Sequence, residues 1–232
     1  MKTNIKLLVG LLVTAIIFYF SNILGSRINI KSDFIPNSFM THTLMLILSL
    51  ITIGVLRKEV QYRISWPKLS RIFRPVLFGF LGFFLVNFLF GIITMMASGD
   101  AAESHPALQR MDALQVFVFV FIYASIAEEL LFRGLLMNLL KPLKKRGIKL
   151  FKRKISLPVI IAAVLFGLGH LVLIQSGAGT LFLVRVVTAT TVLGLVAGYY
   201  QEKYNNNAYA IIAHMGGNLL AVIPAIISSF FT

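Results

Sequence analysis

The chain has no cysteine and few charged residues. The absence of cysteine from all 232 positions excludes disulfides, thiolate metal sites, a cysteine nucleophile and palmitoylation of this chain. Only 13% of the residues are charged, whereas 58% are hydrophobic and the mean hydropathy is +0.87. This balance of little charge and much apolar surface is typical of a polytopic membrane protein.

Seven stretches are long and apolar enough to cross a membrane, near residues 7–24, 38–56, 75–97, 113–140, 157–175, 180–200 and 207–231. A helical span needs about 20 largely apolar residues. Lipid offers backbone groups no water, so only helices or a closed barrel can span it, and these stretches are too long for barrel strands. We therefore predict an all-α membrane bundle of about seven helices, with six or eight as the alternatives.

The net charge of +14 is concentrated in particular loops. Segments 57–74 and 141–154 are strongly basic, whereas segment 98–112 has more acidic than basic residues. By the positive-inside rule, the basic loops and the N-terminus are cytoplasmic and the C-terminus is outside. This rule accounts for the charge without a nucleic-acid partner, which we do not expect. We do expect anionic lipid at the basic loops.

The first apolar stretch resembles a signal peptide, because Lys2 and Lys6 precede it. No A-x-A-like cleavage site follows near Leu24, however. We therefore expect this stretch to be a retained membrane anchor.

Two adjacent carboxylates and an arginine lie in the middle of the fourth stretch. Ionisable groups at membrane depth cost roughly 2.5 to 3.5 kcal/mol each on insertion scales, which makes function the default explanation. Residues i and i+4 share a helix face, so Glu129 can pair with Arg133, whereas Glu128 is rotated by about 100° and lacks that partner. We predict that Glu128 is the freer carboxylate, suited to a general base. The alternative is a structural salt bridge between helices.

Two histidines lie in later stretches. His170 follows Phe166 by four residues, and taken alone it is more simply explained as a buried structural histidine. His214 and Asn218 have i,i+4 spacing, which places an imidazole and a carboxamide on one helix face. Such a pair can donate two hydrogen bonds to a developing oxyanion. A polar helix-packing contact is the alternative.

The depths of these polar groups are compatible with one site. With a rise of 1.5 Å per residue from the predicted cytoplasmic ends, Glu128 and His170 lie at about 20 Å. His214 and Asn218 lie at about 12 and 18 Å by the same measure. The groups can therefore meet within the bilayer.

Other protease chemistries fit the sequence less well. The three aspartates lie outside the predicted spans, which argues against an aspartyl dyad: Asp33, Asp100 and Asp112. The helical zinc-protease sequence H-E-x-x-H is also absent. Ser125 and Ser176 leave a serine–histidine dyad open, although neither lies in a motif.

A metal is a second open question. Glu128, His170 and His214 can supply three zinc ligands with water in the fourth position. Asn218 would then lie outside the ligand set. The same residues are equally explained by acid–base and oxyanion roles, so the sequence leaves the cofactor undetermined, with none or zinc as the alternatives.

The polar residues form three ordered motifs on separate spans: Glu128-Glu129-x-x-x-Arg133, Phe166-x-x-x-His170 and His214-x-x-x-Asn218. These resemble the motifs of the CAAX-processing and bacteriocin-processing (CPBP, or Abi) intramembrane proteases over roughly residues 113 to 220. The resemblance implies that Glu128 and His170 activate a water for attack on a peptide bond. It implies that His214 and Asn218 stabilise the oxyanion.

The same resemblance implies that Glu129, Arg133 and Phe166 support the site. We predict one integral membrane domain, 1–232, that comprises N-terminal transmembrane helices, 1–112, and catalytic core helices, 113–231. Family members act on prenylated CAAX proteins, and bacterial relatives are linked to pheromone or bacteriocin maturation and to bacteriocin immunity. The resemblance thus implies a membrane-associated peptide or lipidated protein as substrate.

The small size favours a bacterial protein integral to the cytoplasmic membrane. A non-catalytic membrane regulator or bacteriocin-immunity protein is the alternative function. A transporter or proton relay is a third, because it also concentrates ionisable groups in spans.

Overall fold

The computed structural model of the protein describes residues 1–99, 103, 105, 108–150 and 152–231. In this part of the chain, seven helices are long and apolar enough to cross a membrane. They are α1 (Thr3–Gly25), α2 (Ser38–Val55), α3 (Phe73–Ser98), α4 (Ala113–Leu139), α5 (Leu157–Gly169), α6 (Thr180–Tyr204) and α7 (Ala208–Ser228). The predicted all-α membrane bundle with about seven spans is confirmed. Asp100 lies outside the described residues.

The helix ends differ from the predicted stretches by a few residues. The first helix begins at Thr3, and α6 continues to Tyr204. After α5, 3-10 turns over His170–Ser176 complete the fifth span. Polar residues near a span end can extend into the headgroup region, so hydropathy alone does not locate these ends.

The basic loop after α4 contains a short antiparallel hairpin that the sequence analysis did not predict. Strands β1 (Gly147–Leu150) and β2 (Arg153–Ser156) pair Ile148 with Ile155 and Lys149 with Lys154. Directly opposed residues point to the same side of a hairpin. The isoleucines therefore share one side and the lysines the other, in a segment that the sequence predicted only to be a basic cytoplasmic loop.

The loops alternate between two faces of the bundle. On one face, the N-terminal ammonium contacts Glu59 at 2.6 Å, Lys141 donates to Gln61 at 2.6 Å, and the Asn207 amide donates to the Arg63 carbonyl. The N-terminus, segment 57–74, the hairpin loop and the α6–α7 turn therefore share one side, which we call the basic face. On the opposite side, the segment between α1 and α2 contacts the start of α4.

Helix α4 is the central span and packs against α1, α2, α5 and α7. Half of its most apolar stretch is buried inside the protein, more than for the other described spans. Its backbone is π-helical over Val116–Ala124 and Leu130–Leu136, on either side of a regular α-helical turn at Ser125–Glu129. Turns of this wider kind are frequent at functional sites. Both carboxylates lie on the regular turn between them.

A close contact between α3 and α7 fixes the position of the last helix. A Cβ on Gly79 would overlap the Ala213 carbonyl oxygen, and one on Gly216 would overlap the Val76 carbonyl oxygen. Small residues let helix backbones approach each other in this way. The contacting residues Ala213 and Gly216 lie on either side of His214 in the chain. The contact therefore sets the depth of His214 in the bundle.

Candidate active site

The Glu128 carboxylate lies between two imidazoles from different helices. Its Oε1 is 3.4 Å from Nε2 of His42 on α2, and its Oε2 is 3.7 Å from Nε2 of His214 on α7. The side chain is 16% exposed. Glu128 is thus partly open to its surroundings, and its described ion-pair partners are imidazoles and not arginine.

The neighbouring carboxylate, Glu129, is fully buried and shares its Oε1 between two donors. Arg133 donates from Nη1 at 2.9 Å, which is the pair that the i,i+4 spacing predicts. His214 contacts the same oxygen through Nδ1 at 2.8 Å. Glu129 therefore connects the arginine to the histidine, and it orients the imidazole that faces Glu128.

The hydrogen bond to Glu129 determines the tautomer of His214. An ionised carboxylate only accepts, so Nδ1 carries the hydrogen. In the neutral imidazole, Nε2 then has a lone pair directed to the Glu128 side. Nε2 can donate a hydrogen bond only when the ring is protonated.

His170 lies where α5 changes to 3-10 turns, and its Nδ1 is 3.0 Å from the Phe166 carbonyl oxygen. A carbonyl also only accepts, so Nδ1 donates and Nε2 of the neutral ring is free to act as a base. His170 lies within electrostatic range of Glu128 and His214. The structure thus brings the second motif to the first and third.

The Phe166 ring is an apolar support shared by the site. Its centroid lies 5.1 Å from the ring of His170 and 5.5 Å from the ring of His214. The Arg133 guanidinium lies 4.7 Å from the same centroid, within the range of a cation–π contact. Phe166 therefore packs against three of the polar side chains and limits the positions that they can adopt.

Asn218 is close to the site, but its amide group is hydrogen-bonded to α4. The Nδ2 group lies 3.1 Å from the Val120 carbonyl oxygen and 3.0 Å from Oγ of Ser125. These two bonds use both amide hydrogens. The carboxamide must release one of them before it can donate to an oxyanion. Ser125 is buried in this contact with Asn218.

The imidazoles of His170 and His214 each have an Nε2 lone pair, and each Nδ1 is held by an acceptor, which is how metal-binding histidines are usually oriented. Within the described ranges, however, no three acidic or imidazole side chains are grouped closely enough to hold a metal ion. As placed, these residues do not form a zinc site.

Sequence reasoning did not identify His42 or His105. His42 is an ionisable residue within the second predicted span, and this is a recognisable signal. His105 lies in the segment between α3 and α4, with its ring 6.0 Å from that of Phe182 and within electrostatic range of His170. Burial lowers the pKa of His105 to about 4, so this ring is neutral at neutral pH.

Comparison with known families gives a match over much of the second half of the chain. Residues 110–220 match the family model of Rce1-like proteins, described as type II CAAX prenyl endopeptidase Rce1-like. The matched segment runs from just before α4 into α7 and contains all three motifs. No curated protein and no solved structure shows a significant match to the chain. His42 lies outside the segment that the family model covers.

Proposed function

Because the chain belongs to the CPBP family of intramembrane proteases, through an Rce1-like segment at residues 110–220, we propose that it is an endopeptidase that hydrolyses a peptide bond at membrane depth. The observation that carries this proposal is the placement of Glu128. Its carboxylate is partly exposed and faces two imidazoles within the spans. Arg133 forms its ion pair with Glu129 and not with Glu128. A carboxylate so placed can take a proton from a bound water.

In the proposed reaction, Glu128 accepts a proton from a water while His170 orients that water through its free Nε2. The water oxygen attacks the carbonyl carbon of the scissile bond, and the carbonyl oxygen becomes an oxyanion. The proton held by Glu128 then passes to the amine nitrogen as the carbon–nitrogen bond breaks. The products are a new carboxylic acid, which then loses its proton to give the carboxylate, and a new amine, and no covalent enzyme intermediate forms.

We assign stabilisation of the oxyanion to His214 and Asn218. His214 donates from Nε2 in its imidazolium form, while its Nδ1 is held by Glu129 on the other side of the ring. Asn218 donates after giving up its bond to Ser125 or Val120. Loss of one oxyanion donor typically costs about 10²- to 10³-fold in rate. Glu129, Arg133 and Phe166 hold the donors in place.

The substrate we propose is a membrane-associated peptide, with a prenylated CAAX sequence as the first choice because of the family match. The proposed chemistry requires a scissile peptide bond held at the membrane. A peptide pheromone or bacteriocin precursor would also meet this requirement. A non-catalytic role in bacteriocin immunity remains the competing function.

The test is cleavage of a peptide panel by the purified protein in liposomes, with and without a chelator. We expect cleavage of at least one membrane-associated peptide, and we expect it to survive chelation. Loss of cleavage on chelation, restored by zinc, would replace direct action of Glu128 on water with a metal mechanism. No cleavage of any peptide by folded protein would favour the immunity role. Ion flux without cleavage would favour a transporter.

We propose further that the basic face is cytoplasmic in the plasma membrane of a bacterium. The charge bias between the two faces supports this orientation. Because the chain has no cysteine, a single introduced cysteine is its only thiol, and labelling of that thiol shows which side of the membrane the residue is on. We expect an impermeant thiol reagent to label Lys31→Cys on intact cells and Lys152→Cys only after permeabilisation. The reverse pattern would contradict the orientation.

Anionic lipid is the partner we propose for the basic face. Trp66 there is 97% exposed, and Lys149 and Lys152 are exposed on the hairpin loop. Basic residues near a membrane surface each contribute about 1 kcal/mol to binding of anionic lipid. We expect native mass spectrometry to show less bound phosphatidylglycerol for Lys149→Ala with Lys152→Ala. The matched control is Arg27→Ala with Lys31→Ala on the opposite face, which should retain the bound phosphatidylglycerol. Equal amounts of bound lipid in the two double variants would contradict the proposal.

A further inference from the structure

The N-terminal half of the chain contributes a side chain to the site. His42 lies on α2, and its Nε2 is 3.4 Å from Oε1 of Glu128. The family model covers only residues 110–220, so this contact comes from outside the matched segment. The His42 side chain is 17% exposed and the Glu128 side chain is 16% exposed, so the contact is partly shielded from its surroundings.

The two oxygens of Glu128 have different partners. His42 faces Oε1, whereas His214 faces Oε2 at 3.7 Å. A carboxylate rotates about its terminal carbon–carbon bond with little hindrance unless its oxygens are held. A donor on one oxygen fixes the plane of the group and thereby sets the direction of the other oxygen.

We propose that His42 is a positioning residue for Glu128. It donates a hydrogen bond from Nε2 to Oε1 and keeps Oε2 directed towards His214 and the reacting water. This inference rests on the proposed hydrolysis and adds a residue to it. At 3.4 Å the hydrogen bond is long, and contacts of this kind often tighten when substrate binds.

The packing of α2 on α4 holds His42 in this position. Oγ1 of Thr43 lies 2.7 Å from the hydroxyl oxygen of Tyr123, five residues before Glu128. The ring of Phe39 stacks on the same Tyr123 ring, with centroids 5.2 Å apart. These contacts involve the helical turn of α2 that carries His42. The approach of His42 to Glu128 is therefore set by a packed helix pair and not by a mobile loop.

A purely structural ion pair between α2 and α4 is the competing explanation. The two explanations differ in what glutamine does at position 42. Glutamine supplies an amide N–H donor but is never charged. It therefore preserves a positioning hydrogen bond and removes any ion pair.

The experiment compares His42→Gln, His42→Leu and the wild type for kcat and KM on a peptide that the wild type cleaves. We expect His42→Leu to lower kcat by about 10- to 100-fold with little change in KM, because misplacing a reacting group by about 1 Å costs that much. We expect His42→Gln to recover most of the rate. The matched control is Ile51→Ala on the exposed side of the same helix, which should behave as wild type.

Glu128→Gln, alone and combined with His42→Leu, separates this inference from the proposed function. If His42 acts through Glu128, His42→Leu has little further effect once Glu128 is replaced. Full kcat in His42→Leu, or equal losses in His42→Gln and His42→Leu, would overturn the positioning role while Glu128→Gln remains inactive. Full activity of Glu128→Gln would instead overturn the proposed function itself.

Discussion

Glu128→Gln should lower the rate of peptide cleavage by about 10²- to 10⁴-fold, the range that general acid–base groups contribute. Glutamine has nearly the same shape as glutamate and can still contact His42 and His214. It cannot accept a proton from water, because its amide is not basic. The loss should therefore appear in kcat, while the folded protein and its affinity for the peptide are largely retained. The measurement is steady-state cleavage in liposomes.

The control for this prediction is Glu59→Gln, which makes the same chemical change on the basic face. Glu59 contacts the N-terminal ammonium and Lys6, and that contact lowers the pKa of its carboxyl. Glu59 lies outside the spans, so its loss should leave the rate unchanged. A cleavage rate for Glu128→Gln close to that of the control would contradict the assignment of Glu128 as the base.

Arg133→Met should cause the largest loss of stability. Arg133 and Glu129 are both fully buried and paired at 2.9 Å. Removing one partner of a buried pair leaves an uncompensated charge and typically costs about 3–5 kcal/mol. We expect a markedly lower Tm in detergent. The position of His214 should also be disturbed, because Glu129 holds its Nδ1.

The double variant Glu129→Gln with Arg133→Met tests whether the unpaired charge causes the loss of stability. It removes both charges, so no unpaired ion remains in the core, and a buried pair replaced in this way is often close to neutral in stability. We expect its Tm to lie well above that of Arg133→Met. If the single and double variants are equally unstable, the loss reflects packing of Arg133 on Phe166 and not the unpaired charge.

Local patterns in the sequence were enough to predict the spans and the Glu129–Arg133 pair. Both depend on short-range regularities, which are the length of apolar runs and the i,i+4 spacing on a helix. The rise per residue also allowed the depths of the polar groups to be compared, and these depths were compatible with one site. These features require no knowledge of which helices are neighbours.

Contacts between helices that are far apart in the chain could not be predicted from the sequence. His42 and Glu128 are 86 residues apart in the chain, and only the packing of α2 on α4 brings them together. The hydrogen bonds of Asn218 to Val120 and Ser125 depend likewise on α7 lying beside α4. The π-helical turns of α4 leave no evident mark in the sequence. Tertiary packing selects among arrangements that local spacing allows.

The most direct test of the account is mass spectrometry of the products formed from a prenylated CAAX peptide in liposomes containing wild-type or Glu128→Gln protein. We expect the wild type to cleave the peptide into two products and Glu128→Gln, folded to the same extent, to leave it intact. Release of the same products by Glu128→Gln would contradict the central role of Glu128. Absence of cleavage by the wild type, extended to the other membrane peptides of the panel, would contradict the assignment as a peptidase.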